Sequence, residues 1–270
     1  VKFRDIIFER TERTSALTID EIAKILLKEY SHKELDIILN CRSPFYRGDN
    51  STSPFLIIDP SLNKRVSPFS SNNYYNIFLS NNEAWKAYPS REYSVVGASS
   101  IDKAKNYNSS LYILIPIKKS TKIAVASSSD LWLSFNTGEW RKMGNLGTFT
   151  EELYKLFNIL VKKGILDSIP SDKDYNQLKA ALKLITVDVF TEFATTYFKK
   201  LLNISKGETL YNVITSLLSP EVNKFTLMST LDFFNNPPWH REIWTDKKCV
   251  MIEINNIDAL KNKIGLLNEI

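Results

Sequence analysis

The chain is poor in several of the residues that enzymes most often use. Its 270 residues include only 2 cysteines and 2 histidines. Cys41 and Cys249 lie far apart in apolar surroundings, so there is no Cys-x-x-Cys pair, and reduced thiols in a cytoplasm are the expectation. His32 and His240 cannot build a His-rich metal site, and a Ser-His-Asp triad would have to recruit one of them. With only 8 glycines the chain contains no Gly-x-Gly-x-x-Gly run and no Walker-type phosphate loop. Long apolar runs are missing too. A run such as 111–117 is far short of the roughly 20 residues of a membrane-spanning helix, so no membrane partner is expected. Val1, Lys2, Phe3, Arg4 and Asp5 lack the apolar stretch of a signal peptide, which adds to the cytoplasmic expectation.

What remains is an ordinary globular composition. Hydrophobic residues make up 43% and charged residues 24%, and the length suits one large domain or two small ones, either of which could bury a substantial core. The formal charge of +5, from 35 basic against 30 acidic residues, is too mild for a charge-driven DNA binder. Lys118, Lys119 and Lys122 cluster between two strand candidates and read first as a solvated hairpin tip.

Periodicity predicts an α+β fold. Thr18 with Glu21 and Ser31 with Glu34 form capping boxes, each followed by apolar residues at helical spacing. Phe45, Tyr46, Arg47 and Gly48 form a short extended stretch after Pro44, and 49–54 reads as a polar loop. A helix is expected over 71–88, a strand over 93–98 and a short helix over 101–107. Strands are expected over 111–117 and 122–126, joined as a hairpin, and 131–135 would continue the sheet. Character changes at 144–147, beyond which 150–218 reads as helical. An aromatic loop over 233–238 precedes strand character over 243–254. The expected layout is a single domain over 1–270. N-terminal helices take 1–40, a first β-rich half 41–145, a helical insertion 146–232, and a C-terminal β segment, 233–270, completes the sheet.

Three separated pieces carry candidate chemistry. They are Tyr46-Arg47-Gly48 at one strand, a strand ending in Ala98, Ser99 and Ser100, and Trp239-His240-Arg241-Glu242, which sets an acid where a strand begins. Taken singly each has a bland reading: Arg47 as a surface ion-pair partner, the serines as helix caps, Glu242 as a strand-edge charge. Acids near tryptophans, at Asp130-Leu131-Trp132 and Glu139-Trp140-Arg141, form no convincing dyad.

Taken together, arginine, then serine, then glutamate, each on its own strand, resemble the Arg-Ser-Glu pattern of ADP-ribosyltransferases. The run from Ser90 to Ser100, with Ala104, Tyr107 and Ile115-Pro116-Ile117 beyond it, is similar to proteins of tailed bacteriophages that share that fold. The resemblance covers about 42–135 and 239–254. It implies a split β-sheet and a glycosyltransferase of phage type that moves ADP-ribose from NAD to a macromolecular acceptor, host protein or nucleic acid. The setting it implies is the host cytoplasm or a virion-associated complex.

The resemblance also implies roles. Glu242 would be catalytic with Ser99 or Ser100 in support. Tyr46, Arg47 and Gly48 would bind NAD, and Tyr107 or Phe234 would stack on the nicotinamide. Arginine-modifying members carry Gln or Glu where this chain has His240, so an acceptor other than arginine is implied. Two rivals stand beside this reading. One is an inactive structural or host-interaction protein on the same fold, working through 150–220. The other is a nucleic-acid-binding module using Lys118, Lys119 and Lys122.

Overall fold

The computed structural model describes residues 16–62, 74–135, 146–193 and 208–266. Helices α1 (Ile19–Glu29) and α2 (His32–Leu39) lead into strands β1 (Tyr46–Asp49) and β2 (Phe55–Ile58). Helix α3 (Tyr74–Asn81) and a 3-10 turn (Glu83–Trp85) come before β3 (Val95–Ala98), α4 (Ile101–Lys105), β4 (Ser110–Pro116) and β5 (Lys122–Val125). A helical stretch then holds α5 (Leu131–Ser134), α6 (Leu146–Lys162), α7 (Tyr175–Leu184), α8 (Val187–Phe193) and α9 (Leu210–Leu217). After it come β6 (Thr226–Ser229), α10 (Thr230–Asn235), β7 (Glu242–Thr245), β8 (Cys249–Glu253) and α11 (Ile257–Leu266).

The first helices start where the capping boxes put them. Thr18 Oγ1 accepts from the Glu21 amide at 3.3 Å while Glu21 accepts from the Thr18 amide at 2.7 Å, and Ser31 with Glu34 repeats both bonds. Each box satisfies amides that a helix start leaves free, a device whose loss costs about 1 kcal/mol. Behind the caps, Ile22, Leu26, Leu35 and Ile38 bury one face. Tyr30, just past α1, donates its hydroxyl to the Pro116 carbonyl at 2.7 Å, fastening the helices to β4, and burial pushes that phenol well above its usual range.

The strands form one open antiparallel sheet in the order β2-β8-β4-β1-β3-β7-β5-β6. Both late strands return to its interior: β7 between β3 and β5, and β8 between β2 and β4. The chain divides into two compact units. The first takes the described residues of Val1–Pro68, Tyr88–Ser129 and Thr226–Ile270 and contains the whole sheet with α1, α2, α4, α10 and α11. The second takes those of Phe69–Ala87 and Asp130–Phe225. Its core is aromatic: Tyr74 meets Phe157 edge-on at 5.6 Å, and Trp85 meets Phe225 at 4.9 Å while donating to the Leu218 carbonyl. The segment read as a helical insertion, 146–232, overlaps this second unit, to which 69–87 also belongs.

Several expectations are corrected. Strands β4 and β5 make no hairpin, because β4 is flanked on both sides by β1 and β8. Alternation marks a strand but says nothing of its neighbour. Residues 131–134 are helical and leave the sheet. The stretch 243–254 is two strands that pair in different parts of the sheet. Phe233 and Phe234 belong to helix α10, whose N-cap Ser229 accepts from the Asp232 amide, so the loop begins later. The helix expected over 71–88 is α3, shorter, followed by the 3-10 turn. Strands β2 and β6 and helix α11 lay outside the expectations. Residues 139–141, with their acid near Trp140, and 144 lie outside the described residues.

Gly97 is required for packing and not for its backbone freedom. A Cβ there would overlap the Tyr46 carbonyl oxygen and press to 2.8 Å from the Phe45 ring. Overpacking of this kind costs about 1–3 kcal/mol, and Gly97→Ala should lower the unfolding free energy by about 2 kcal/mol in urea. A variant as stable as the wild type would show that β1 and β3 can separate freely.

Asp59, at the end of β2, offers a pH handle. Burial opposes its ionisation, but Lys248 at 2.7 Å and the Ser61 hydroxyl at 2.6 Å outweigh it and hold the carboxyl below its usual range. A lowered folded value means stability that is present above the unfolded value of about 3.9 and is lost as pH falls through the folded one. The stability gap between wild type and Asp59→Asn, from denaturant titrations, should therefore be widest above about pH 4 and shrink below it. A gap that widens on acidification would reverse the assignment.

Candidate active site

The strand carrying Arg47, the strand that runs into Ser99 and the strand carrying Glu242 are consecutive in the sheet: β1, β3, β7. In the register, Tyr46 pairs with Ala98 and Ala98 with Glu242, a row across three strands. Arg47 is the next residue of β1, and strand alternation turns it to the other side from Tyr46. Beyond that single pair β1 and β3 have no further ladder partners. There the Arg47 guanidinium bridges them, with Nη1 donating to the Val96 carbonyl at 2.7 Å and Nε lying 3.5 Å from Asp49.

Gly48, the third residue of the motif, faces α4. A Cβ would come within 2.6 Å of the Asn108 nitrogen, so the missing side chain lets the α4–β4 connection lie on β1. Tyr46 is buried in the core, and burial raises its phenol.

Ser99 is fully buried and joins β3 to the residue before the acid. Its hydroxyl accepts from the Arg241 amide at 2.8 Å, and its own amide donates to the Arg241 carbonyl at 2.9 Å. On the far side the Glu242 amide donates to the Ser128 carbonyl at 3.0 Å and its carbonyl accepts from Ala126 at 2.9 Å. Glu242 is thus held by its backbone in an interior strand and is only 4% exposed, unlike the charge of a sheet edge. Ser100 occupies the N-cap of α4 yet makes no side-chain cap. Among the described residues its buried hydroxyl has no hydrogen-bond partner, an uncommon state for a buried polar group.

Glu242 has a partner that sequence reasoning did not single out. Arg91 donates from Nη2 to Glu242 Oε1, with both side chains 5% exposed, and its guanidinium lies 5.2 Å from the centre of the Trp244 ring. Trp244 donates its indole N–H to the Pro89 carbonyl at 3.0 Å. Arg91 stands 151 residues from Glu242 in sequence, inside the Ser90-Arg91-Glu92 text that carries the resemblance, but nothing local marks it as a charge partner. Arg241 is the other omission: its guanidinium donates to the Ser127 carbonyl and so ties the acid's neighbour to the end of β5.

The remaining candidates scatter. Phe234 is 2% exposed in the core, edge-on to Phe233 at 5.2 Å, and is not brought to this group. Tyr107 is half-buried in the turn after α4, its amide bonded to the Ala104 carbonyl. Trp239 is the aromatic that the loop exposes, at 68%, edge-on to His240 at 4.6 Å. His240 itself has φ of 52°, a left-handed conformation a non-glycine residue adopts at a cost of about 1–3 kcal/mol, immediately before the Arg241–Glu242 junction.

Comparison with protein-family models, curated proteins and solved structures found no match. The site therefore has to be read from its own chemistry. Neither thiol suits a nucleophile: burial pushes both up, Cys249 strongly although Arg47 pulls the other way. Among the described residues no three His, Cys, Asp or Glu side chains gather as a metal site, and no helix is long and apolar enough to cross a membrane. The lysines of 118–122 lie at the other end of β5 from Glu242, and Lys119 faces Glu34 at 3.6 Å.

Proposed function

We propose that this chain transfers ADP-ribose from NAD to a macromolecular acceptor, as the resemblance to ADP-ribosyltransferases implies. The observation that carries the reading is the buried Glu242 carboxylate, fixed in an interior strand whose neighbour β3 runs into Ser99 and into a Ser100 hydroxyl with no hydrogen-bond partner among the described residues. Breaking the bond between ribose C1′ and the nicotinamide nitrogen leaves positive charge on the sugar, as glycoside cleavage does. A carboxylate held in a preorganised, water-poor setting stabilises that charge more than the neutral ground state. Nicotinamide departs with the bonding pair, an acceptor nucleophile bonds to C1′, and the acceptor's proton passes to solvent. Water in place of the acceptor gives NAD hydrolysis as a side reaction.

In this reading Ser99 fixes the Arg241–Glu242 backbone and Ser100 meets a substrate hydroxyl. Arg47 offers the planar fork that suits a diphosphate; alternation turns it from the face that carries Glu242, so to meet the same NAD it must leave its Val96 and Asp49 contacts and reach past the single β1–β3 pair. The test is incubation with NAD labelled in the adenylate half, alone and with host lysate, followed by separation of macromolecules. Label on protein or nucleic acid, dependent on Glu242, is the expected result. Nicotinamide release without any transferred label would reduce the activity to NAD hydrolysis.

One observation favours a second reading. Arg47 and Glu242 both have internal partners, and a sheet that uses its charged side chains in this way also serves as a scaffold for a phage structural or host-interaction protein. Co-purification with virions or a host complex, without NAD turnover, would support it.

A further inference from the structure

Glu242, Trp244 and, just beyond the strand, Asp246 alternate onto one face of β7. The segment 89–91 makes a contact with each of them. The Pro89 carbonyl accepts from the Trp244 indole at 3.0 Å, the Ser90 amide donates to Asp246 Oδ2 at 3.3 Å, and Arg91 donates to Glu242 while its guanidinium lies over the Trp244 ring. Ser94 closes the turn by donating its hydroxyl to the Arg91 carbonyl at 2.9 Å. The segment is therefore a strap along the acid's own strand, with its guanidinium at the carboxylate.

We infer that Arg91 is the positioning residue of the Glu242 carboxylate, delivered to it by this strap; the inference rests on the transferase reading. A glutamate has three side-chain torsions, and a carboxylate free to sample them stabilises a developing charge poorly. The strap removes that freedom before substrate arrives: the backbone is held by Ser99 and Ser128, and the far end by a guanidinium that is itself seated on Trp244. Stability alone does not account for such a pair, because a buried ion pair replaced by well-packed apolar residues is often neutral or better. Arg91 acts through Glu242 and not on the substrate, so its loss should appear in the chemical step and spare NAD binding.

The experiment is steady-state nicotinamide release by wild type, Glu242→Gln, Arg91→Gln and Arg91→Lys, each checked for folding by its melting curve. Arg91→Gln should lower kcat about 100-fold with the KM for NAD within about threefold, the size of effect that a misplaced catalytic group produces. Arg91→Lys keeps the charge without the planar fork and should recover part of kcat, remaining about tenfold down. If Arg91→Gln fails to fold, Arg91→Lys decides alone. A kcat within about threefold of wild type in the folded Arg91 variants, beside an inactive Glu242→Gln, overturns the inference and leaves Arg91 a structural residue. No release by the wild type, or undiminished release by Glu242→Gln, overturns the transferase reading and the inference with it.

Discussion

Glu242→Gln should abolish nicotinamide release from NAD, with a fall of at least about 100-fold, equivalent to about 3 kcal/mol of lost transition-state stabilisation. The substitution keeps the volume and the oxygen that accepts from Arg91, and removes the negative charge. If Glu242 acts on charge that develops only as the glycosidic bond breaks, the loss belongs to kcat, and NAD binding by the variant should stay within a few-fold of wild type. Nicotinamide quantified by chromatography, beside a calorimetric titration with NAD, separates the two quantities. A variant that loses binding and turnover together would assign Glu242 to ground-state recognition. The change also leaves Arg91 facing a neutral amide in a buried site, so some thermal destabilisation should accompany it.

The largest expected effect on stability is at the other half of the pair. Arg91→Ala should cost about 3–5 kcal/mol, because it leaves a buried carboxylate without its guanidinium and also removes the packing on Trp244. The double replacement Arg91→Leu with Glu242→Leu should recover most of that loss, since neither charge then has to be kept away from water. Chemical denaturation of the four species of the cycle measures this, and a strongly non-additive pair is the expected result. If the double variant recovers stability while NAD turnover is gone, the pair is present for chemistry. Additive losses would mean that the two side chains act through separate contacts.

How much of this was legible in the sequence depends on the range of the interaction. The capping boxes of α1 and α2 involve residues three apart, and both formed as read. Strand β3 and helix α4 were also visible, because alternation and the Ser99-Ser100 punctuation are local signals. The partners of β4 and β8 were not, since hydrophobic alternation fixes a face and not a neighbour. Strand β6 has no buried residue to mark it.

The order of Arg47, Ser99 and Glu242 along the chain is a sequence signal, and the structure sets strands β1, β3 and β7, on or beside which they stand, next to one another; their roles remain those proposed above. Arg91 was not, because its meaning comes from a carboxylate 151 residues away. Phe234 was misplaced for a related reason. Two phenylalanines before prolines read equally well as a loop or as the buried end of a helix, and the Ser229 cap decides for the helix.

If the chain breaks the nicotinamide–ribose bond, nicotinamide release from NAD by the purified wild-type protein over time shows it most directly. Release in proportion to protein is expected, and it should disappear in Glu242→Gln. A folded wild-type chain that neither binds NAD nor releases nicotinamide would contradict the transferase reading, leaving the sheet as a scaffold whose partner would then have to be found.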